Sequence, residues 1–417
     1  MSFGVRQFGV RGSAVIVIDR RDGRYVRRIA DGPASSAEGY DGRNIWIADA
    51  ANNTYLQGNA DTRAEVLRWS QLLRDFVDGK NKRTAHIRVG DDTQNVTISP
   101  TSIRIANQEG TTELRLSTMQ RVSHVDASTF EPPAPPNDAA IDDSSGIAEV
   151  PMLPLRVKDR PSTLVVVPVS VDGSQPMHFL LDTGGQNILT PAAARRLHLT
   201  ILGNARTGGA GSGTIATSYA WVRSMRVGTA YLRHQPFMIL PLEIVPGIDG
   251  IVGAELLSRF AARFDFAKNE LALARKAPPF WFQRGNVSAL AFNLNMPDMA
   301  GSIDGFPGRF TLDTGSDGSL DINAPFARRH NLGRTYSAIK RSHFAGVGGT
   351  INTAEILARV AALGSLVTYN IPATLALDSA GVSGDPTTAG NVGELFFRNY
   401  TLTIDYATRR INFESPR

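Results

Sequence analysis

No cysteine occurs among the 417 residues, and that absence excludes disulfides, thiolate metal sites and a cysteine nucleophile together. No apolar run approaches the roughly 18 residues that a membrane-spanning helix needs, so no membrane span is expected. The opening, MSFGVRQFGVRG, lacks an apolar signal core. The chain is therefore expected to be periplasmic or secreted if a signal was removed upstream, and cytoplasmic otherwise. Histidine is sparse, with seven residues far apart, and no His-Glu-x-x-His spacing appears. Neither a metal site nor a cofactor is expected. A Gly-x-Ser-x-Gly elbow and a Walker loop are missing as well. The net charge is +5, but Lys and Arg never form a block of five or six. A solvated basic surface, not a nucleic-acid site, is the expectation.

With 42% hydrophobic and 20% charged residues, the composition is that of a soluble globular chain long enough for two or three domains. The clearest boundary is FEPPAPPNDAAIDDSSGIAEVP. Its prolines, acids and small polar residues predict a linker over 131–151 with nothing to pack. Before it, residues 1–130 alternate polar and apolar in short runs (SAVIVI, GRYVRRI, RNIWIA, HIRV, NVTI, SIRIA, ELRLST), with a turn signal at Asp22-Gly23. These read as half-buried antiparallel strands. Thr62 and Glu65 form a capping-box pattern ahead of Val66, Trp69, Leu72, Leu73, Phe76 and Val77, which predicts one helix laid on the sheet.

Beyond residue 151 the sequence repeats itself. FLLDTGGQNILTPAAARRLHL is followed 131 residues later by FTLDTGSDGSLDINAPFARRHNL. GAGSGT (209–214) corresponds to GVGGT (346–350). Gly253 pairs with Gly393, and Asp265 with Asp405, both 140 residues apart. Two homologous lobes, 152–279 and 280–417, follow. Each is strand-rich, and each ends in a hairpin, FDFAKNELALA or IDYATRRINF. A lone Asp-Thr-Gly is an ordinary turn. Two copies, each after an apolar strand, allow a twofold arrangement to bring Asp182 and Asp313 to one seam.

The region from about 152 to 417 resembles the aspartic peptidases, in the form of two fused retropepsin-like lobes. Asp182-Thr183-Gly184 and Asp313-Thr314-Gly315 match the catalytic motif. Ile251-Val252-Gly253 resembles the second signature, and Asn391-Val392-Gly393 is a variant with Asn at an apolar position. The implied fold is mainly β: a bilobal acid-protease fold of two β-barrel lobes behind an α+β N-terminal domain. The resemblance implies catalysis by Asp182 and Asp313, cross-bracing by Thr183 and Thr314, and flaps built on Gly209, Gly211, Gly213, Gly346, Gly348 and Gly349. Gly184 and Gly315 are expected to turn the backbone and aim N–H groups at the carboxylates. Ser316 is expected to hydrogen-bond Asp313, whereas Gly185 has no hydroxyl to offer Asp182. Asp317 and Asp321 are expected to face solvent, Asp265 and Asp405 to shape turns, and Tyr219 and Trp221 to fill core. Two carboxylates held close share one proton, so the ionised one can activate water while the protonated one steadies the oxyanion. An endopeptidase acting on polypeptide as a monomer is the resulting expectation. A non-catalytic peptide-binding or scaffold protein with the same fold is the alternative. Residues 7–50 of the N-terminal region are also similar to the first strands of a lipoprotein-carrier half-barrel. A plain β-rich accessory domain, with a protein partner docking through it, fits the same residues.

Overall fold

The computed structural model describes residues 1–58, 60–80, 83–89, 92–157, 160–242 and 245–415. Most of these residues lie in strands. The first 118 residues make a ten-stranded sheet whose hydrogen-bonded pairs are all antiparallel. Alternation explains each strand: Phe3 and Val5 face inward from Ser2–Gln7 while Ser2, Gly4 and Arg6 face outward. The helix Ala60–Val77 crosses this sheet and buries Trp69, Leu72, Leu73 and Phe76 against it. It begins at Ala60, so Thr62 lies inside the first turn and does not cap the helix; the Thr62 side chain is outside the described residues. Helix ends move by a residue or two relative to capping patterns for this kind of reason.

Residues 131–151 are not a free linker. Ala139–Ile141 pairs with Ala230–Ile239 and becomes the edge of its sheet, and Ile147–Pro151 pairs with Glu270–Ala274. Ala148 and Val150 are buried there while Glu149 points out. The Pro-rich composition hides two short strands whose partners lie about a hundred residues away, and strand formation depends on such partners more than on local preference. The front sheet is also joined to the rest of the chain. Gln57 exchanges two 2.8 Å hydrogen bonds with the backbone of Leu294. Buried Arg259 binds Asp138, Asn53 and the carbonyl of Ala51. Tyr219 and Trp221 are only partly buried: Tyr219 stacks on Phe8 of the front sheet and Trp221 on His234. They line a contact between units and are not core.

The remainder forms two eight-stranded, barrel-like sheets that share the same pairings among seven of their strands. Met177–Leu181 pairs antiparallel with Val166–Val171 and parallel with Gly250–Val252. Phe306–Asp313 does the same with Met296–Ile303 and Gly390–Gly393. The hairpins predicted at 264–274 and 404–413 span 261–274 and 401–414 and join edge to edge in a six-stranded sheet, with Ala262 opposite Ile404 and Phe264 opposite Leu402. That shared sheet fixes one half against the other, and the ends of the two parallel pairs meet at the seam.

One buried group in the front sheet stands out. Asp31 is 2% exposed and neither carboxylate oxygen has a partner among the described residues. Burial pushes its carboxyl up to about 6. A raised acid destabilises the folded state above its folded value and has no effect below the unfolded one. Asp31→Asn is therefore expected to raise stability above pH 6 by about 1–3 kcal/mol, with the gain fading as pH falls towards 4. Urea unfolding of both proteins across that range checks the sign.

Candidate active site

Each aspartate ends an apolar strand at the seam. Leu181 and Leu312, the residues just before them, are fully buried. The two loops interlock through their threonines. Thr183 N donates to Thr314 Oγ1 at 3.1 Å and Thr314 N to Thr183 Oγ1 at 3.0 Å. Each hydroxyl donates at 2.7 Å across the seam, Thr183 to Leu312 O and Thr314 to Leu181 O. Both threonines are completely buried. The Tyr406 hydroxyl, from the last hairpin, donates to Thr183 O at 3.1 Å.

The carboxyl groups of Asp182 and Asp313 lie within hydrogen-bonding reach of one another. Gly184 N donates to Asp182 Oδ1 at 2.7 Å and Gly315 N to Asp313 Oδ1 at 2.8 Å. Neither glycine takes a positive φ, so backbone freedom is not what demands glycine here. Space is. A methyl group at Gly315 would stand 2.4 Å from Cγ of Asp182, and one at Gly184 would stand 3.0 Å from Cγ of Asp313. Gly185 has a similar cause, since a side chain there would meet Asp182 Oδ2 at 2.6 Å. Burial pushes the Asp182 carboxyl well above the usual range, and the nearby Asp313 adds to it. Burial also raises Asp313, countered by its hydrogen bonds from Asp182 and Asn391. Such a pair holds one proton over a wide pH range.

Two expectations near Asp313 need correction. The Ser316 hydroxyl donates to Asp321 Oδ2 at 3.4 Å, not to Asp313. Asp321 lies in the strand Leu320–Ile322, partly buried on the wall of a cavity of about 70 Å³ beside Asp313. Burial, followed by the charge of Asp313, pushes its carboxyl up to about 7. Asp317 does face solvent. Asp265 and Asp405 accept from the backbone N–H of Lys268 and Thr408 and so shape their turns. Sequence reasoning missed the roles of Asn391 and Tyr406. The departure from an apolar residue at 391 was the available signal.

The glycines expected to build flaps meet one another. Gly211 N donates to Val347 O and Gly213 N to Gly348 O, each at 2.8 Å. A Cβ at Gly211 would lie 2.1 Å from Gly349 N, so the loops touch backbone to backbone. Gly209 packs on Val347, and Gly346 on Ala210. Ala210 from the first loop and Phe344 from the second hairpin line the cavity that contains Asp313.

Residues 167–256 match the aspartyl protease family. The matched segment contains Asp182-Thr183-Gly184 and Ile251-Val252-Gly253, the strand end and the strand parallel to it described above. No curated protein matches the chain. Among the described residues no helix is long and apolar enough to cross a membrane.

Proposed function

We propose that the chain is an aspartic endopeptidase in which Asp182 and Asp313 activate water against a peptide bond. The observation that carries the reading is the pair itself: two partly buried carboxyl groups in mutual hydrogen-bonding reach, each fed by a glycine N–H. Holding two such groups together out of water opposes folding, and the threonine cross-brace keeps them there. The ionised carboxylate takes a proton from water as the oxygen attacks the carbonyl carbon. The protonated one hydrogen-bonds the carbonyl oxygen as its charge develops. The loops at 208–214 and 346–349 act as flaps that part to admit an extended polypeptide and then bond to it as an added strand. Both aspartates belong to one chain, so a monomer suffices.

The test is cleavage of an unfolded protein across a pH series, with and without a statine-type inhibitor. Expected are an activity maximum where the pair carries one proton, loss of activity with the inhibitor, and a specific activity independent of protein concentration. Absence of cleavage at every pH, or cleavage indifferent to the inhibitor, would remove this reading.

A further inference from the structure

The two halves differ at the floor beneath the aspartates, and the difference is systematic. In the first half Leu180 and Ile188 are both in register with Ile251, and Ile188 also with Met238. All four join one apolar cluster. The same register in the second half gathers Thr311, Asp321, Thr374 and Asn391. Every apolar position has become a hydrogen-bonding one. Unsatisfied polar groups on a buried floor would cost about 1–3 kcal/mol each. Two of the replacements, Thr311 and Asn391, instead form a directed chain. Thr311 Oγ1 donates to Asn391 Oδ1 at 2.6 Å, and Asn391 Nδ2 donates to Asp313 Oδ2 at 3.0 Å. The hydroxyl fixes which end of the amide faces the carboxylate.

We propose that Asn391 is a positioning residue that breaks the symmetry of the pair, keeping the negative charge on Asp313 and the shared proton on Asp182. The proposal rests on the peptidase reading above. Ile251, the counterpart of Asn391, has no donor for Asp182, so one carboxylate alone receives a side-chain amide. A hydrogen bond to the charged form favours that form. The ionisable groups facing Asp313 among the described residues are Asp182 across the seam, Asp321 on the neighbouring strand and Tyr406 from the last hairpin. None is cationic, which leaves the amide as the side-chain group favouring charge on Asp313.

Roles in the reaction then follow. Asp313 takes a proton from water, and the water oxygen bonds to the carbonyl carbon. The proton on Asp182 passes to the carbonyl oxygen, giving a neutral diol. On collapse the C–N bond breaks, the proton on Asp313 goes to the departing nitrogen, and a diol hydroxyl returns its proton to Asp182. The pair ends as it began.

Two variants separate this role from a packing role. Asn391→Val gives the second half a branched apolar side chain like that of Ile251. Thr311→Val is nearly isosteric and removes only the hydroxyl that orients the amide, so it serves if the first fails to fold. Carbon-13 NMR of labelled aspartate carboxyls, assigned with Asp182→Asn and Asp313→Asn, reads the pair whether or not a substrate is cleaved. Expected in the wild type is that Asp313 ionises first. In Asn391→Val that first ionisation moves up by about one pH unit, and in Thr311→Val it moves the same way by less. The acid limb of kcat/KM moves with it while KM holds. Asp182 ionising first, or a first ionisation unmoved in both variants, would overturn the assignment. A wild type that cleaves nothing, yet shows these shifts, would sink the peptidase reading and leave the proton's location standing.

Discussion

Asp182→Asn is expected to lower kcat by about 10³-fold, since positioned proton transfer contributes roughly 10²–10⁴-fold, with Asp313→Asn doing the same. The amide fits the site, because it can still accept from Gly184 N. What it cannot do is hold or return a proton. The same change should make the protein harder to unfold. Burial and the neighbouring Asp313 raise the Asp182 carboxyl well above its ordinary value, and a raised acid weakens the folded state increasingly as pH climbs from the unfolded value through the folded one. Removing that acid is expected to raise Tm at neutral and alkaline pH and to leave it unchanged in strong acid. Lost activity together with a higher Tm is the signature of a group retained for chemistry. An Asn variant that loses activity and Tm together would point to a purely structural carboxylate, and one that keeps its activity would exclude the pair from the reaction.

The repeat made the pairing of residues 182 and 313 legible because internal symmetry relates positions 131 residues apart without any knowledge of folding. The hairpins at the ends of both halves were legible for the same reason, and the buried face of the helix Ala60–Val77 was legible from its apolar spacing. Composition misled at 131–151, where three- and five-residue strands gain their stability from the edges they join. Asn391 read as a blemish in an apolar signature because its meaning depends on partners. Thr311 lies 80 residues before it and Asp313 lies 78 before it. Only the parallel pairing of Phe306–Asp313 with Gly390–Gly393 makes them neighbours. Asp321 looked like a loop acid until its strand was seen in register with Asn391. Gly185 looked like a missing hydroxyl, and steric contact with Asp182 turned out to set it. Patterns one residue deep carry the apolar architecture. Polar groups that satisfy each other across strands stay illegible until the register is known.

The cross-brace leads to the other large effect. In Thr183→Val the Leu312 carbonyl and the Thr314 N–H both lose their partner, at a place with no exposure to water. Each orphaned buried group costs about 1–3 kcal/mol, so the variant is expected to lose about 2–5 kcal/mol of stability in urea. Volume is almost unchanged between Thr and Val, which keeps the packing contribution small. Activity per folded molecule should fall too, by about 10–100-fold, because the loops that fix the carboxyl separation are no longer tied and a 1 Å displacement of reacting groups carries a penalty of that order. Thr183→Ser keeps the hydroxyl and is expected to retain most of both properties. Thr314→Val should match Thr183→Val, since the bonds are reciprocal. The double variant should cost roughly the sum of the two, because the two hydroxyls hold four different hydrogen bonds and neither substitution removes one that the other does. Full activity and unchanged stability in either Val variant would show that the seam is held by the six-stranded sheet alone and that the threonines are bystanders.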